Sequence, residues 1–353
     1  MRSLKLRAPG VVVLGDINID ILARIEKFPA PGEDCLAPQL EFHCGGVGAN
    51  TALALARWGV PVRLLGSVGH DAFGVLALRF LRAGQVDVTR VAQRDHAATG
   101  LMFITVTADG QRTIFGSRGA NAELQGPPTE AGGLEDAQAV HLVGYNFLSP
   151  SVAEVAGRLI EEVRRNGRQV SLDVGMAPSR QIPQKILQVA GKVDILFAGL
   201  DEAAALTGKP DKAGAFGALE RSGAREVVIK LGEKGCLFRE SDALKQAPSF
   251  HVAVADTTGA GDAFAAAFLW ARLRGWAPAA AALLADAAGA AAACVVGAGE
   301  GMPAPRQVMR LLGESRLDAE WEAVRVRLLE RLRAEFQSED TGRTSGGWNE
   351  ASA

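Results

Sequence analysis

With 353 residues, 48% of them hydrophobic and 22% charged, and a formal net charge of −2, the chain can bury a large core and carries no charge field suited to nucleic acid. Its four cysteines, Cys35, Cys44, Cys236 and Cys294, lack CxxC spacing and are too sparse for a disulfide framework, which points to reduced thiols in a cytoplasmic protein. The apolar run 11–14 stops at Gly15-Asp16, too short for a signal sequence, and the Ala-rich stretch 277–296 is interrupted by Asp286, which favours a buried helix over a membrane span.

Val11-Val12-Val13-Leu14 reads as a buried strand that leaves the core at Gly15-Asp16-Ile17-Asn18-Ile19-Asp20, where polar and apolar residues alternate. Pro29, Pro31 and Pro38, with short alternating runs up to Cys44, suit a β-ribbon outside the main sheet. After Gly45-Gly46-Val47-Gly48 the pattern predicts a helix over 49–58 and a strand over 62–65. Segments 99–107 and 111–117 flank Ala108-Asp109-Gly110, a hairpin signal, and are expected to join the ribbon. Strands at 140–143, 169–173, 193–197 and 226–231 then alternate with helices at 151–165, near 184–190 and at 201–207. That alternation predicts an α/β fold with a mostly parallel sheet covered on both faces and ligands at the carboxyl ends of its strands. Segment 314–336 reads as an additional C-terminal helix, and 337–353, polar with repeated Gly and Ser, as a disordered tail.

Chemistry concentrates in Asp256-Thr257-Thr258-Gly259-Ala260-Gly261-Asp262-Ala263-Phe264. Small residues there leave backbone N–H groups unshielded at the start of an Ala-rich helix, whose positive dipole end favours a phosphate. Asp262 could take the proton of a substrate hydroxyl as it attacks a terminal phosphate. The plainer alternatives are a helix-entry charge for Asp262 and a turn residue for Asp256. A G-x-x-x-x-G-K-[ST] loop does not occur, Ala265 stands where a third Gly-x-Gly-x-x-Gly glycine would fall, and protein-kinase signatures are missing, so the turn belongs to another kinase design.

The segments 256–269 and 45–69, the latter with Gly45-Gly46-Val47-Gly48-Ala49-Asn50, Gly59 and Gly69, together resemble the two signatures of PfkB-type carbohydrate kinases, the ribokinase-like family. The resemblance implies a three-layer α/β/α sandwich over about 8–313 with a small β lid from segments 17–44 and 97–120. It implies ATP and Mg²⁺ as cofactors and a monovalent cation such as K⁺. It also implies a homodimer formed through the lid, with a small sugar as partner and no role for nucleic acid or a membrane. Carried over by position, Asp262 resembles the base, and Gly259, Ala260 and Gly261 the anion hole. Asp16, Asn18, Asp20, Gly45, Gly46 and Asn50 resemble the sugar ligands, with Arg118, beside Asn121, as a lid residue that selects substrate. Lys230, Gly232, Gly235, Asp256 and Thr257 fall at nucleotide-side positions. The family's Asn-x-x-Glu is altered here to Gly199-Leu200-Asp201-Glu202, which keeps Glu202 as a water-mediated Mg²⁺ position and puts the manner of metal binding in doubt. The implied activity is phosphorylation of a primary hydroxyl of ribose, fructose or 2-keto-3-deoxygluconate. A nucleoside kinase on the same fold and a non-catalytic sugar- or nucleotide-binding regulator are the alternatives.

Overall fold

The computed structural model describes residues 10–109, 111–124 and 137–343, with side chains to 336. Strand β1 (Val11–Leu14) runs to β2 (Asn18–Arg24) and β3 (Leu40–Gly45), followed by α1 (Val47–Arg57), β4 (Val62–Gly69), α2 (Ala72–Ala83) and β5 (Val91–Arg94). Next come β6 (Gly100–Val106) and β7 (Arg112–Ser117), then β8 (Ala139–Val143), α3 (Pro150–Arg165), β9 (Gln169–Asp173), α4 (Met176–Gln181), α5 (Pro183–Ala190) and β10 (Ile195–Gly199). The chain continues through α6 (Leu200–Thr207), α7 (Lys212–Glu220), β11 (Glu226–Lys230), β12 (Cys236–Glu240) and β13 (Ala243–Ala247). It ends with α8 (Ala260–Leu273), α9 (Pro278–Ala293), α10 (Pro305–Glu314) and α11 (Ala319–Arg343).

The large sheet is 9-stranded in the order β13-β12-β11-β10-β9-β8-β1-β4-β5, parallel except for the edge hairpin β12-β13. Period-2 side-chain alternation explains its two covered faces. Val11 and Val13 point into one apolar cluster, with α1, α8 and α9, while Val12 and Leu14 point into the other, with α3. Because β1 pairs with β4 on one side and β8 on the other, the strand order reverses beside it, which opens a crevice at its carboxyl end. The second sheet is 4-stranded, β3-β2-β6-β7, and is the small lid sheet expected at the edge of the core. Gly110 of the predicted hairpin turn lies outside the described residues, and the flanking β6 and β7 pair antiparallel.

Some boundaries differ from the sequence reading. The strand placed at 193–197 is Ile195–Gly199, because Asp194 turns there: its carboxylate accepts the Val170 N–H at 2.8 Å and its own N–H goes to Val170 O. The C-terminal helix continues to Arg343, into the segment expected to be disordered. Residues 344–353 lie outside the described residues.

Candidate active site

The 256–262 turn and helix α8 come together as the sequence suggested. Gly259 caps α8 in the left-handed region at φ 77, and a Cβ there would stand 2.5 Å from Met302 Cε, so only glycine fits the turn. The Ala260 N–H turns back to Thr257 O at 3.2 Å, so one of the three amides expected to face an anion is engaged within the turn. Asp256 fastens the same turn: Oδ1 accepts from Thr258 N (2.9 Å) and Thr258 Oγ1 (2.7 Å), and Oδ2 from Gly297 N (3.0 Å). Burial raises its carboxyl, but these hydrogen bonds and Arg112 outweigh it and hold the group ionised, below its ordinary value.

Asp262 lies in the first turn of α8, 9% exposed. Asn50 on α1 donates to its Oδ2 at 2.8 Å, and Asn50 Oδ1 accepts the Gly299 N–H at 3.2 Å. Burial pushes the Asp262 carboxyl up to about 7, with Asp173 adding to the rise and the Asn50 hydrogen bond and Lys230 opposing it. A carboxylate poised near neutrality is suited to proton abstraction.

Asp173, at the carboxyl end of β9, holds Lys230 Nζ with both oxygens at 2.9 and 2.8 Å. Burial alone would lower the ammonium, yet Asp173, Glu202 and Asp262 together raise it, so Lys230 stays charged. Glu202 accepts the Gly199 N–H at 2.7 Å and joins the same group, its carboxyl raised by burial and by Asp173 against the pull of Lys230. Sequence reasoning missed Asp173 as a site residue; its one available signal was a carboxylate ending a buried strand.

On the lid side, Asn18 and Asp20 lie on β2 and are 5% and 7% exposed. Asp20 Oδ1 has no hydrogen-bond partner, and burial lifts this carboxyl to about 6 despite the nearby His43. Gly45 is paired opposite Asn18, and a Cβ on it would lie 2.2 Å from the Asp20 carboxyl, so a side chain there would displace the acid. Gly46 caps α1 beside them. Asp16 and Arg118 meet as a fork, Nε to Oδ2 and Nη2 to Oδ1 both at 2.8 Å, with Arg118 Nη1 also reaching Ser149 Oγ at 3.3 Å. Asn121 is a brace: its amide exchanges hydrogen bonds with the Ile17 backbone and donates to Asn18 Oδ1 at 2.9 Å.

A cleft of about 490 Å³ runs from the 256–262 turn along α9. Lys230, Gly232, Gly235, Thr257, Ala260 and Gly261 line one end, with Gly289, Ala290 and Ala293 along the helix. Its size and apolar wall suit a planar organic group attached to an anion. Another cleft, about 440 Å³, opens at the amino ends of β9 to β11. Its guanidiniums are engaged there, Arg225 by Asp194, Arg239 by Glu220 and Arg272 by Glu226.

Among the described residues no cluster of three His, Cys, Asp or Glu side chains could cage a metal, and no helix is long and apolar enough to cross a membrane. The donor set fits a hard cation that keeps its waters and takes most of its ligands from a phosphate chain.

The pfkB family carbohydrate kinase profile matches residues 8–305. The chain is 32% identical to ribokinase of Arabidopsis thaliana over 320 residues, covering 88% of this chain and 83% of the relative. It is also 32% identical, over 261 residues, to the ATP-dependent ribose-1-phosphate kinase of Halopiger xanaduensis, covering 73% and 83%. The solved Arabidopsis thaliana ribokinase complexed with ribose and ATP superposes with a TM-score of 0.77 at 30% identity, covering 88% of this chain and all (100%) of that one.

Proposed function

Because the chain belongs to the pfkB family of carbohydrate kinases, and so to the phosphotransferases that act on hydroxyl groups, we propose that it transfers the γ-phosphate of ATP to a primary hydroxyl of a small neutral sugar of the ribose or fructose class. The observation that carries this reading is the buried Asp262, set between the phosphate turn and the Asn50 amide and raised to about 7. In the proposed reaction the ionised Asp262 takes the hydroxyl proton as that oxygen attacks the terminal phosphate, and the Gly259–Gly261 turn faces the charge of the transferring group.

Asn18, Asp20, Gly45, Gly46 and Asn50 surround the proposed sugar position. The free Oδ1 of Asp20 offers an acceptor for a hydroxyl, and the Asn50 amide orients the base. A neutral sugar fits better than an acidic or phosphorylated one because the cations nearby are occupied. Arg118 is held by Asp16, and Arg112 by Asp256 and Thr258. Substrate selection by Arg118 is therefore proposed to act through Asp16 rather than by direct contact. A nucleoside acceptor is less well served, since the ring of the chain's one tyrosine, Tyr145, is approached by the Arg118 guanidinium at 5.9 Å.

Lys230, Gly232, Gly235 and Thr257 are the proposed nucleotide neighbours, supported by their shared cleft. Mg²⁺ supplies charge neutralisation on the phosphates when bound, with Glu202 its proposed protein neighbour through water. The ionised Asp256 is the group proposed to face a monovalent cation such as K⁺. A cytoplasmic location and a homodimer through the lid belong to the same proposal. Four free cysteines support the first, and exposed apolar side chains on the lid, Phe103, Ile114 and Phe115 among them, support the second.

Coupled measurement of ADP release with ribose, fructose and 2-keto-3-deoxygluconate tests the reading. Asp262→Asn is expected to lower kcat roughly 10²-fold or more while leaving the ATP KM within a few-fold. Asp20→Ala is expected to raise the sugar KM by about tenfold or more at nearly constant ATP KM. Unchanged turnover in Asp262→Asn would remove the base, and a shift confined to the ATP KM in Asp20→Ala would move the sugar site elsewhere.

A further inference from the structure

We propose that the polar cleft at the amino ends of β9, β10 and β11 is a second ligand site that takes a small phosphorylated polyol. The phosphate meets Arg164 and Arg225, and hydroxyls meet the side-chain oxygens of Gln169 and Glu226. The cleft holds about 440 Å³, within the range of small-molecule sites. The three strands end at Asp173, Gly199 and Lys230 on the opposite edge of the sheet, about 13 Å away along each strand. A ligand here shares no space with the candidate active site. Such a site lies outside the kinase reading and stands without it.

Charge in the cleft favours an anion. Three carboxylates line it, and each faces one guanidinium: Asp194 meets Arg225 at 3.1 Å, Glu220 takes Arg239 as a fork, and Glu226 Oε2 takes Arg272 Nε at 3.0 Å. Arg164 adds a charge that no carboxylate among the described residues offsets, because its Nη1 donates to the Lys192 carbonyl at 2.7 Å. Arg225 is 79% exposed, and a guanidinium carries five N–H donors, more than its contact with Asp194 can use. Arg164 is exposed as well, so a phosphate gains charge-assisted hydrogen bonds from both without rearranging the core.

Two acceptors define the rest of the ligand. Gln169 Oε1 and Glu226 Oε1 are buried without a hydrogen-bond partner, and both residues line the cleft. Register puts them on one face of the sheet: Ile195 of β10 pairs with Ser171 on one side and Glu226 on the other, and Gln169 stands two residues before Ser171. A buried acceptor left without a donor is costly. Polyol hydroxyls would donate to both oxygens while the phosphate stays with the guanidiniums. A dicarboxylate brings no donor and leaves them orphaned. Among the described residues lining the cleft there is no aromatic ring, so a flat base gains no stacking there.

Calorimetry without nucleotide tests the site with ribose 5-phosphate, inorganic phosphate and succinate as probes. Titrations are run on wild type and on Asp20→Ala, in which the proposed sugar position is impaired. Both proteins are expected to bind ribose 5-phosphate at least about tenfold more tightly than either other probe. In the Asp20→Ala background, Arg164→Ala removes a charge-assisted contact and is expected to weaken ribose 5-phosphate about tenfold or more. Gln169→Leu removes one neutral acceptor and is expected to weaken it about threefold or more. No binding, or equal binding of inorganic phosphate, overturns the proposal, as does an affinity that either cleft variant leaves unchanged. Binding that is present in wild type and lost in Asp20→Ala would belong to the candidate active site and overturn it too. Should Gln169→Leu fail to fold, Arg164→Ala at its exposed position decides together with the probe comparison. A protein that binds ribose 5-phosphate in this cleft yet phosphorylates no sugar would defeat the kinase reading alone, and sugar phosphorylation without this binding would defeat the cleft alone.

Discussion

Asp262 owes its character to neighbours that pull in opposite directions. Burial and Asp173 favour the protonated acid, while the Asn50 amide and Lys230 favour the anion, and the balance falls at about 7. A base works only when ionised, so kcat/KM should fall as pH drops through about 7 and level off above it. Asp20, at about 6, should steepen the decline at lower pH because its carboxylate is the acceptor proposed for the sugar. A pH profile of wild type should show this acid limb, and the residual activity of Asp262→Asn should lack its upper part. A wild-type profile flat from pH 5.5 to 8 would contradict the assignment. The 256–262 turn was legible because the Gly259 cap and the Asp256 to Thr258 contacts are local in sequence. Asp173 was not, and neither was the Asn50 to Asp262 bond, which spans a sequence separation of 212. Only the packing of α1 against α8 makes that pair.

At the scale of elements, the lid was readable from two local signals, the prolines and alternation before Cys44 and the Asp-Gly of the β6-β7 hairpin. Its register was not readable, and register decides what each face does. Cross-strand pairing sets Ile21 opposite Phe42 and Phe103, and Phe103 opposite Phe115, whose rings stack at 5.4 Å. This puts an aromatic row on one face, while Asp20, opposite His43 and Met102, belongs to the other. Phe103 and Phe115 remain 39% and 55% exposed, an apolar pair on a narrow sheet. A second lid packed against this face would cover it. Sedimentation should therefore give a dimer for wild type and a monomer for Phe115→Asp, with the folded core and its thermal transition little changed. A wild-type monomer at all protein concentrations would refute the lid interface. The hairpin β12-β13 escaped the sequence reading for a related reason. Its strands are short and polar on one side, and only pairing with β11 gives them a place.

For the whole molecule, the open question in the sequence was the chain beyond the residue at which the family profile ends, 305. Helix α11 lies past that point and reads as a charged, solvated helix, with Glu and Arg dominating its length. Yet Trp321, Leu328, Leu329 and Leu332 enter the same apolar cluster as α8 and α9. Phe336 closes an aromatic group against Trp58 at 6.1 Å and Trp270 at 5.9 Å, and the Trp270 indole donates to Trp58 O at 3.1 Å. The helix thus covers the outer side of the helices that carry Asp262 and Asn50. If α11 is part of the core, Leu332→Ala should cost about 2–5 kcal/mol in urea unfolding, the range for emptying a buried leucine site, with kcat preserved in the folded fraction. Deletion from residue 317 onward should cost more and unfold α8 and α9 together with the rest of the domain, because their Ala-rich surfaces would lose the side chains that cover them. A Leu332→Ala loss under about 0.5 kcal/mol, the scale of an ordinary surface substitution, would mean that α11 is an appendage and that the kinase domain is stable without it.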